Sequence, residues 1–97
     1  METFLMFGKY STQALSKISS ERTRKAMNTI QKAGGRVKSV YALLGENDLV
    51  FIVSFPGAAQ ATLASIELHK LTGIAFTTSL AIPVDQFDAL VGKMKSR

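Results

Sequence analysis

The densest hydrophobic signal in the chain is an apolar run, a short polar turn and a second apolar run. Tyr41-Ala42-Leu43-Leu44 leads into Gly45-Glu46-Asn47-Asp48, and Leu49-Val50-Phe51-Ile52-Val53-Ser54-Phe55 follows. Two such runs meeting across a polar turn predict a β-hairpin. The second run has no wet side in its pattern, so both of its faces need cover. Upstream, Phe4-Leu5-Met6-Phe7 predicts a first strand over residues 3–8, closed by Gly8, Tyr10 and Ser11. A short helical turn over residues 12–18 precedes a long helix. Ser20 is placed as its N-cap, with Glu21 in the first turn where negative charge suits the helix dipole. Thr23, Ala26, Met27, Ile30 and Ala33 fall on one face of that helix, and Gly34-Gly35 stops it.

The hairpin strands are read as residues 36–44 and 49–55, the latter ended by Pro56-Gly57. A second long helix then runs to residue 72, its inward stripe being Ala61, Ala64, Leu68 and Leu71 at helical spacing. Alanines on that stripe let the helix lie close to a sheet. Gly73 ends it, a fourth strand covers residues 74–82, and Pro83 interrupts the ladder. A last amphipathic helix over residues 85–95 carries Phe87, Leu90, Val91 and Met94 on one side. Lys93, Lys95 and Arg97 suit its C-terminal end.

The order β-α-β-β-α-β plus a terminal helix is an α+β arrangement in one domain spanning residues 1–97: the ferredoxin-like, split β-α-β plan. Both long helices cover one face of a four-stranded antiparallel sheet. The other face decides assembly. Strand alternation sets Phe4 and Met6 against Leu5 and Phe7, and Leu49, Phe51, Val53 and Phe55 against Val50 and Ile52. In the fourth strand it sets Ile74, Phe76, Leu80 and Ile82 against Ala75 and Ala81. Helices hide one set only, and soluble monomers rarely leave more than a few hundred Å2 of contiguous apolar surface bare. At about 25 cal/mol per Å2, hiding the remainder is a large favourable term before association costs. The simplest cover is a second copy packed sheet to sheet across a two-fold axis, a homodimer of the dimeric α+β barrel type. Leu63 and Ile66, off the inward stripe of the second long helix, leave two readings: scattered surface residues, or a further contact between dimers that builds a larger oligomer.

Composition narrows the classes. With 97 residues, 46% hydrophobic and 20% charged, the chain supports one modest core and does not read as disordered. It has no Cys, which excludes disulfides, thiolate catalysis and zinc–cysteine sites, and a cytoplasmic location is the expectation. No apolar stretch approaches the roughly 20 residues that span a bilayer. The N-terminal apolar run lacks a basic flank and a small-residue cleavage pattern, so it reads as a strand and not as a signal peptide. Net charge is +5, and half of the basic residues lie between Arg22 and Lys38. Such a cluster can bind nucleic acid or an anionic ligand. The plainer reading makes Arg22, Arg24, Lys25 and Lys32 the wet side of one helix. Nucleic-acid binding through these residues with Arg36 and Lys38 ranks last, because the sheet lacks the aromatic stacking pair of an RNA-recognition motif.

Several segments carry a family likeness: Phe7-Gly8-Lys9-Tyr10, Ile18-Ser19-Ser20-Glu21-Arg22-Thr23, Gly34-Gly35-Arg36-Val37-Lys38-Ser39, Tyr41-Ala42-Leu43-Leu44-Gly45, Asp48-Leu49-Val50 and Lys70-Leu71-Thr72-Gly73-Ile74. On these the chain resembles the GYD domain proteins, small members of the dimeric α+β barrel group. The resemblance implies the fold and dimerisation; it implies no settled activity. The chain is also distantly similar to the ligand-sensing domains of leucine-responsive regulators, which share a Gly-x-x-Asp hairpin. One position departs from the family pattern. Where the family has Gly-x-Tyr-Asp, this chain has Gly45-Glu46-Asn47-Asp48, with Asn47 in place of the tyrosine. Asn tolerates a left-handed backbone better than Tyr, so the turn is expected to persist as a structural device.

Candidate chemistry is sparse. His69 is the only histidine, so one chain cannot build a multi-histidine metal site, and no metal or other cofactor is expected. On the helical wheel His69 lies near the exposed side, as a surface residue or a proton carrier at a subunit contact. Asp48 is expected to accept backbone N–H groups and fix the turn. Glu46 lies two residues away in an exposed turn, which sets no general acid against a base. Gly34-Gly35 follows a helix, whereas a phosphate cradle precedes one. The ligand-binding candidates are polar groups in or beside apolar strands: Tyr41, Ser39, Ser54 and Thr78, joined by Lys9 and His69, with Thr77 and Ser79 as neighbours. Tyr41 leads them, having a ring to stack and a hydroxyl to donate. The expected function is a homodimeric module that takes up a small molecule or serves in assembly, with no catalytic residues. The alternative is a cofactor-independent monooxygenase-like enzyme with His69 or Tyr41 as proton acceptor, which requires one of them to line an enclosed cavity.

Overall fold

The two apolar runs of the opening hairpin pair with each other in a computed structural model that describes residues 1–95. Its elements are β1 (Glu2–Lys9), α1 (Thr12–Leu15), α2 (Ser20–Lys32), β2 (Arg36–Ala42), β3 (Leu49–Phe55), α3 (Ala58–Thr72), β4 (Ala75–Ala81) and α4 (Val84–Lys95). The strands form one antiparallel sheet in the order β2-β3-β1-β4. This is the expected α+β, ferredoxin-like arrangement, with the most apolar strands in the centre where both edges are hydrogen-bonded. Among the described residues no helix is long and apolar enough to cross a membrane.

Register fixes which side chains share a face. Phe4 lies opposite Val53 and Leu80, and Met6 opposite Phe51 and Thr78. This set faces α2 and α3, which bring Ala26, Ile30, Ala61, Ala64 and Leu68 into one core with Phe4, Met6, Phe51, Val53 and Phe55. Phe4 and Phe55 meet edge to face at 5.7 Å, an arrangement favoured by the ring quadrupoles. The α2–β2 connection passes so close to this core that a Cβ on Gly35 would lie 2.6 Å from the Phe55 ring and 2.8 Å from Ile30 Cγ2. Only glycine fits there without moving a fully buried ring.

Several expectations need correction. The N-cap of α2 is Ser19, whose hydroxyl accepts from the Arg22 amide at 3.0 Å; Ser20 is the first helical residue. Thr23 is exposed, and α2 buries Ala26 and Ile30 instead. In α3 the stripe ends on Thr72 and not Leu71: Leu71 is 44% exposed and Thr72 is buried. The burial is possible because the Thr72 hydroxyl donates to the Leu68 carbonyl at 2.7 Å and accepts from the Ile74 amide at 3.1 Å. β2 stops at Ala42, two residues early, because the Leu43 amide turns to the Asp48 carbonyl (2.8 Å) and closes the loop, leaving Leu44 fully exposed.

The largest departure is α4. Its stripe exists but is mostly uncovered: Phe87 is 54%, Leu90 48% and Met94 74% exposed, and Val91 is half-buried. The helix stands away from the body with only marginal contact. The radius of gyration is consequently 15.2 Å, against about 12–13 Å for a compact domain of this length. Arg97 and the side chain of Lys95, expected to complement this helix end, lie outside the described residues.

Candidate functional site

The sheet has two faces of different character, and the candidate residues divide between them. On the face away from the helices, β2 contributes Arg36, Ser39 and Tyr41, and β3 contributes Ser54, Ile52 and Val50 opposite them. β1 adds Thr3, Leu5 and Phe7, and β4 adds Ala81, Ser79 and Thr77 in register. The centre of this face is therefore apolar and its margins are hydroxyl-bearing. Leu5, Phe7 and Ile52 are half-buried, while Val50 and Ser54 are buried even in the single chain. Tyr41 is 56% exposed at the edge strand. Lys9 is exposed at the end of β1, opposite Ala75. Lys38 sits at an irregularity in the β2–β3 pairing, and its ammonium donates to the Thr3 hydroxyl at 3.3 Å.

Thr78 does not belong to this group. It lies on the helix face, where its hydroxyl and that of Ser65 on α3 are 2.7 Å apart, and Ser65 also donates to the Ala61 carbonyl at 3.0 Å. The alternation already carried this sign, since Thr78 has the parity of Phe76 and Leu80. His69 is on this side too. It is exposed, and its Nδ1 lies 3.0 Å from the Ile74 carbonyl. A carbonyl can only accept, so His69 Nδ1–H donates this bond. Two adjoining cavities run along the groove between α3 and β4. One of about 420 Å3 is lined by residues including Phe4, Ala61, Ile66, Thr78 and Leu80, and one of about 370 Å3 by Ile66, His69, Lys70, Ala75 and Phe76. The candidate set thus comprises Tyr41, Ser39, Ser54 and Lys9 on one face, with Thr78 and His69 on the other.

The hairpin turn is fastened from outside itself. The Asp48 carboxylate accepts the Tyr10 amide at 2.7 Å, and the Asp48 amide donates to the Gly8 carbonyl at 2.9 Å. Asp48 thereby ties the turn to the end of β1. Gly45 has φ +144°, while every other residue of the turn, Asn47 included, has negative φ. The left-handed backbone expected of Asn47 is absent, and Gly45 alone takes the conformation that side chains disfavour.

Tyr10 and Arg22 were not singled out together by sequence reasoning. The Arg22 guanidinium lies 5.4 Å from the centre of the Tyr10 ring and donates to the Ala14 carbonyl. Arg22 is therefore half-buried between α1 and α2 and not part of a uniformly wet helix face. No local pattern signals this contact. Arg24, Lys25 and Lys32 are exposed on α2, whereas Arg36 belongs to the open sheet face on the opposite side of the domain. The basic cluster of the sequence is divided in space. Among the described residues no three His, Cys, Asp or Glu side chains gather as a metal site.

An antiparallel β2-β3-β1-β4 sheet with two helices on one face defines a ferredoxin-like α+β module. A model of the GYD domain matches residues 4–91, and the chain belongs to that family. Among solved structures it is similar to the leucine response regulatory protein LrpA of Mycobacterium tuberculosis, with a TM-score of 0.61 at 11% identity. That match covers 84% of this chain and 51% of LrpA, so the chain spans about half of the regulator's length. At this identity the likeness is one of fold. No curated protein matches the chain.

Proposed function

We propose that the protein is a homodimeric module whose two copies pair through their open sheet faces and take up a small molecule between them. The observation that carries this reading is the composition of that face: an apolar centre of Leu5, Phe7, Val50 and Ile52, bordered by Tyr41, Ser39, Thr77 and Ser79. Apposed centres exclude water, and the bordering hydroxyls orient a guest that has an apolar body and a polar end. Arg36, Lys38 and Lys9 on the same face favour a guest whose polar end is anionic. A cytoplasmic setting fits a chain with no Cys. The monooxygenase-like alternative has less support, because Tyr41 is largely exposed in the single chain and His69 is exposed across the sheet from it.

Sedimentation velocity tests the pairing: the wild type is expected to run as a dimer, and Ile52→Asp, which places a charge at the centre of the contact, is expected to shift towards smaller species. A wild type that stays monomeric at tens of micromolar sinks the reading. Tyr41 offers a second probe. The chain has two tyrosines and no tryptophan, so Tyr10→Phe leaves Tyr41 as the sole strong emitter. Its emission should change on dilution through the dimer dissociation range. Native mass spectrometry of protein purified from cells then asks whether a small guest travels with the wild type and leaves with Ile52→Asp.

A further inference from the structure

α4 and the α3–β4 groove are two apolar surfaces left without partners in the same chain. The helix presents Val84, Phe87, Leu90 and Met94, all exposed, and the groove presents Ile66, Phe76 and Leu80 over its two cavities. Their lengths agree. The groove follows β4 from Ala75 to Leu80, about 17 Å at ~3.3 Å per residue, and the 12 residues of α4 span about 18 Å. We propose that α4 seats in the α3–β4 groove of a second copy of this chain, and that the exchange is reciprocal.

Charge selects the second copy over the chain's own helix. Lys70 stands at the Ala75 end of the groove, and Glu2 lies beyond its Leu80 end. α4 carries Asp85 and Asp88 in its first half. Opposite charges meet only if the helix runs parallel to β4, with its first turn beside Lys70. Only two residues separate the chain's own α4 from the C-terminal end of β4, so folding back it must run antiparallel to that strand. Asp85 and Asp88 would then approach Glu2. The helix dipoles agree with this choice. The C-terminus of α3 lies at the Ala75 end, so an incoming α4 parallel to β4 is antiparallel to α3 and sets opposite dipole ends together. A two-fold exchange also repeats the contact. Four apolar patches share the roughly 1,200–2,000 Å2 that a stable interface buries, so each supplies only about 300–500 Å2.

The absence of native Cys makes disulfide trapping direct. Leu90 and Ile66 are both largely exposed, so Leu90→Cys and Ile66→Cys leave the core intact. Under mild oxidation the double variant is expected to run on non-reducing gels at doubled mass, and a mixture of the two single variants should yield the mixed Leu90→Cys/Ile66→Cys pair. A double variant that cross-links within one chain and keeps monomer mass overturns the proposal in favour of the helix folding back. Cross-linking of Leu90→Cys with itself, in preference to the mixed pair, overturns it in favour of helix–helix pairing. No cross-link overturns it outright. Charge reversal supplies a readout independent of the thiols: Lys70→Glu should lower the mixed yield several-fold, and Asp85→Lys with Asp88→Lys on the helix-donating chain should restore it. The sheet-face reading is scored apart by adding Ile52→Asp, which dissolves that contact without touching α4 or the groove.

Discussion

At the level of single residues, Asp48 shows how a turn residue acts at a distance. That an aspartate in this turn accepts a backbone amide follows from its type and position. That the amide belongs to Tyr10, 38 residues upstream, does not. The half-buried carboxylate makes a short charge-assisted bond, so Asp48→Ala is expected to cost about 1–2 kcal/mol. Asp48→Asn retains an acceptor oxygen and should recover part of that loss. Urea unfolding measures both; an unchanged midpoint for the alanine variant would remove Asp48 as the fastener between hairpin and β1. The neighbouring Asn47 teaches the reverse lesson. Its suitability for a left-handed backbone is not used, because Gly45 absorbs the positive φ.

Between elements, polar contacts inside an apolar groove set the α3–β4 distance. The Ser65 hydroxyl bridges the Ala61 carbonyl and Thr78, so Ser65→Ala and Thr78→Val should each cost about 1 kcal/mol. The double variant is expected to cost less than the sum by about 0.5 kcal/mol or more, since the second change removes a group the first has already orphaned. Strict additivity in thermal or urea unfolding would mean that the two hydroxyls do not depend on each other. The elements themselves were legible, because the strands alternate, α2 has a clear apolar stripe, and Gly and Pro punctuate the chain. The ends were less so. Thr72 replaces Leu71 in the buried stripe through two hydrogen bonds that no periodicity encodes.

For the whole molecule, the open face and the free helix both make stability depend on concentration. A dimer that dissociates on unfolding gains Tm by mass action, about 3 °C per tenfold concentration for a chain of this size. Scanning calorimetry across two decades of wild-type concentration should show that slope, and Ile52→Asp should flatten it to whatever α4 exchange sustains. A Tm independent of concentration would leave both apolar surfaces unexplained as contacts between copies.

Local chemistry by itself determined the kinds of element and their order. Period, caps and breakers act over a few residues and are written directly in the chain. Strand alternation also divided the core from the open face, including the side on which Thr78 falls. What only the tertiary structure decided is which distant groups meet: Asp48 with Tyr10, Arg22 with the Tyr10 ring, Ser65 with Thr78. It also decided that the apolar stripe of α4 finds no place on its own domain. An amphipathic pattern states that a face must be covered, and the arrangement of the remaining elements settles whether the same chain can cover it.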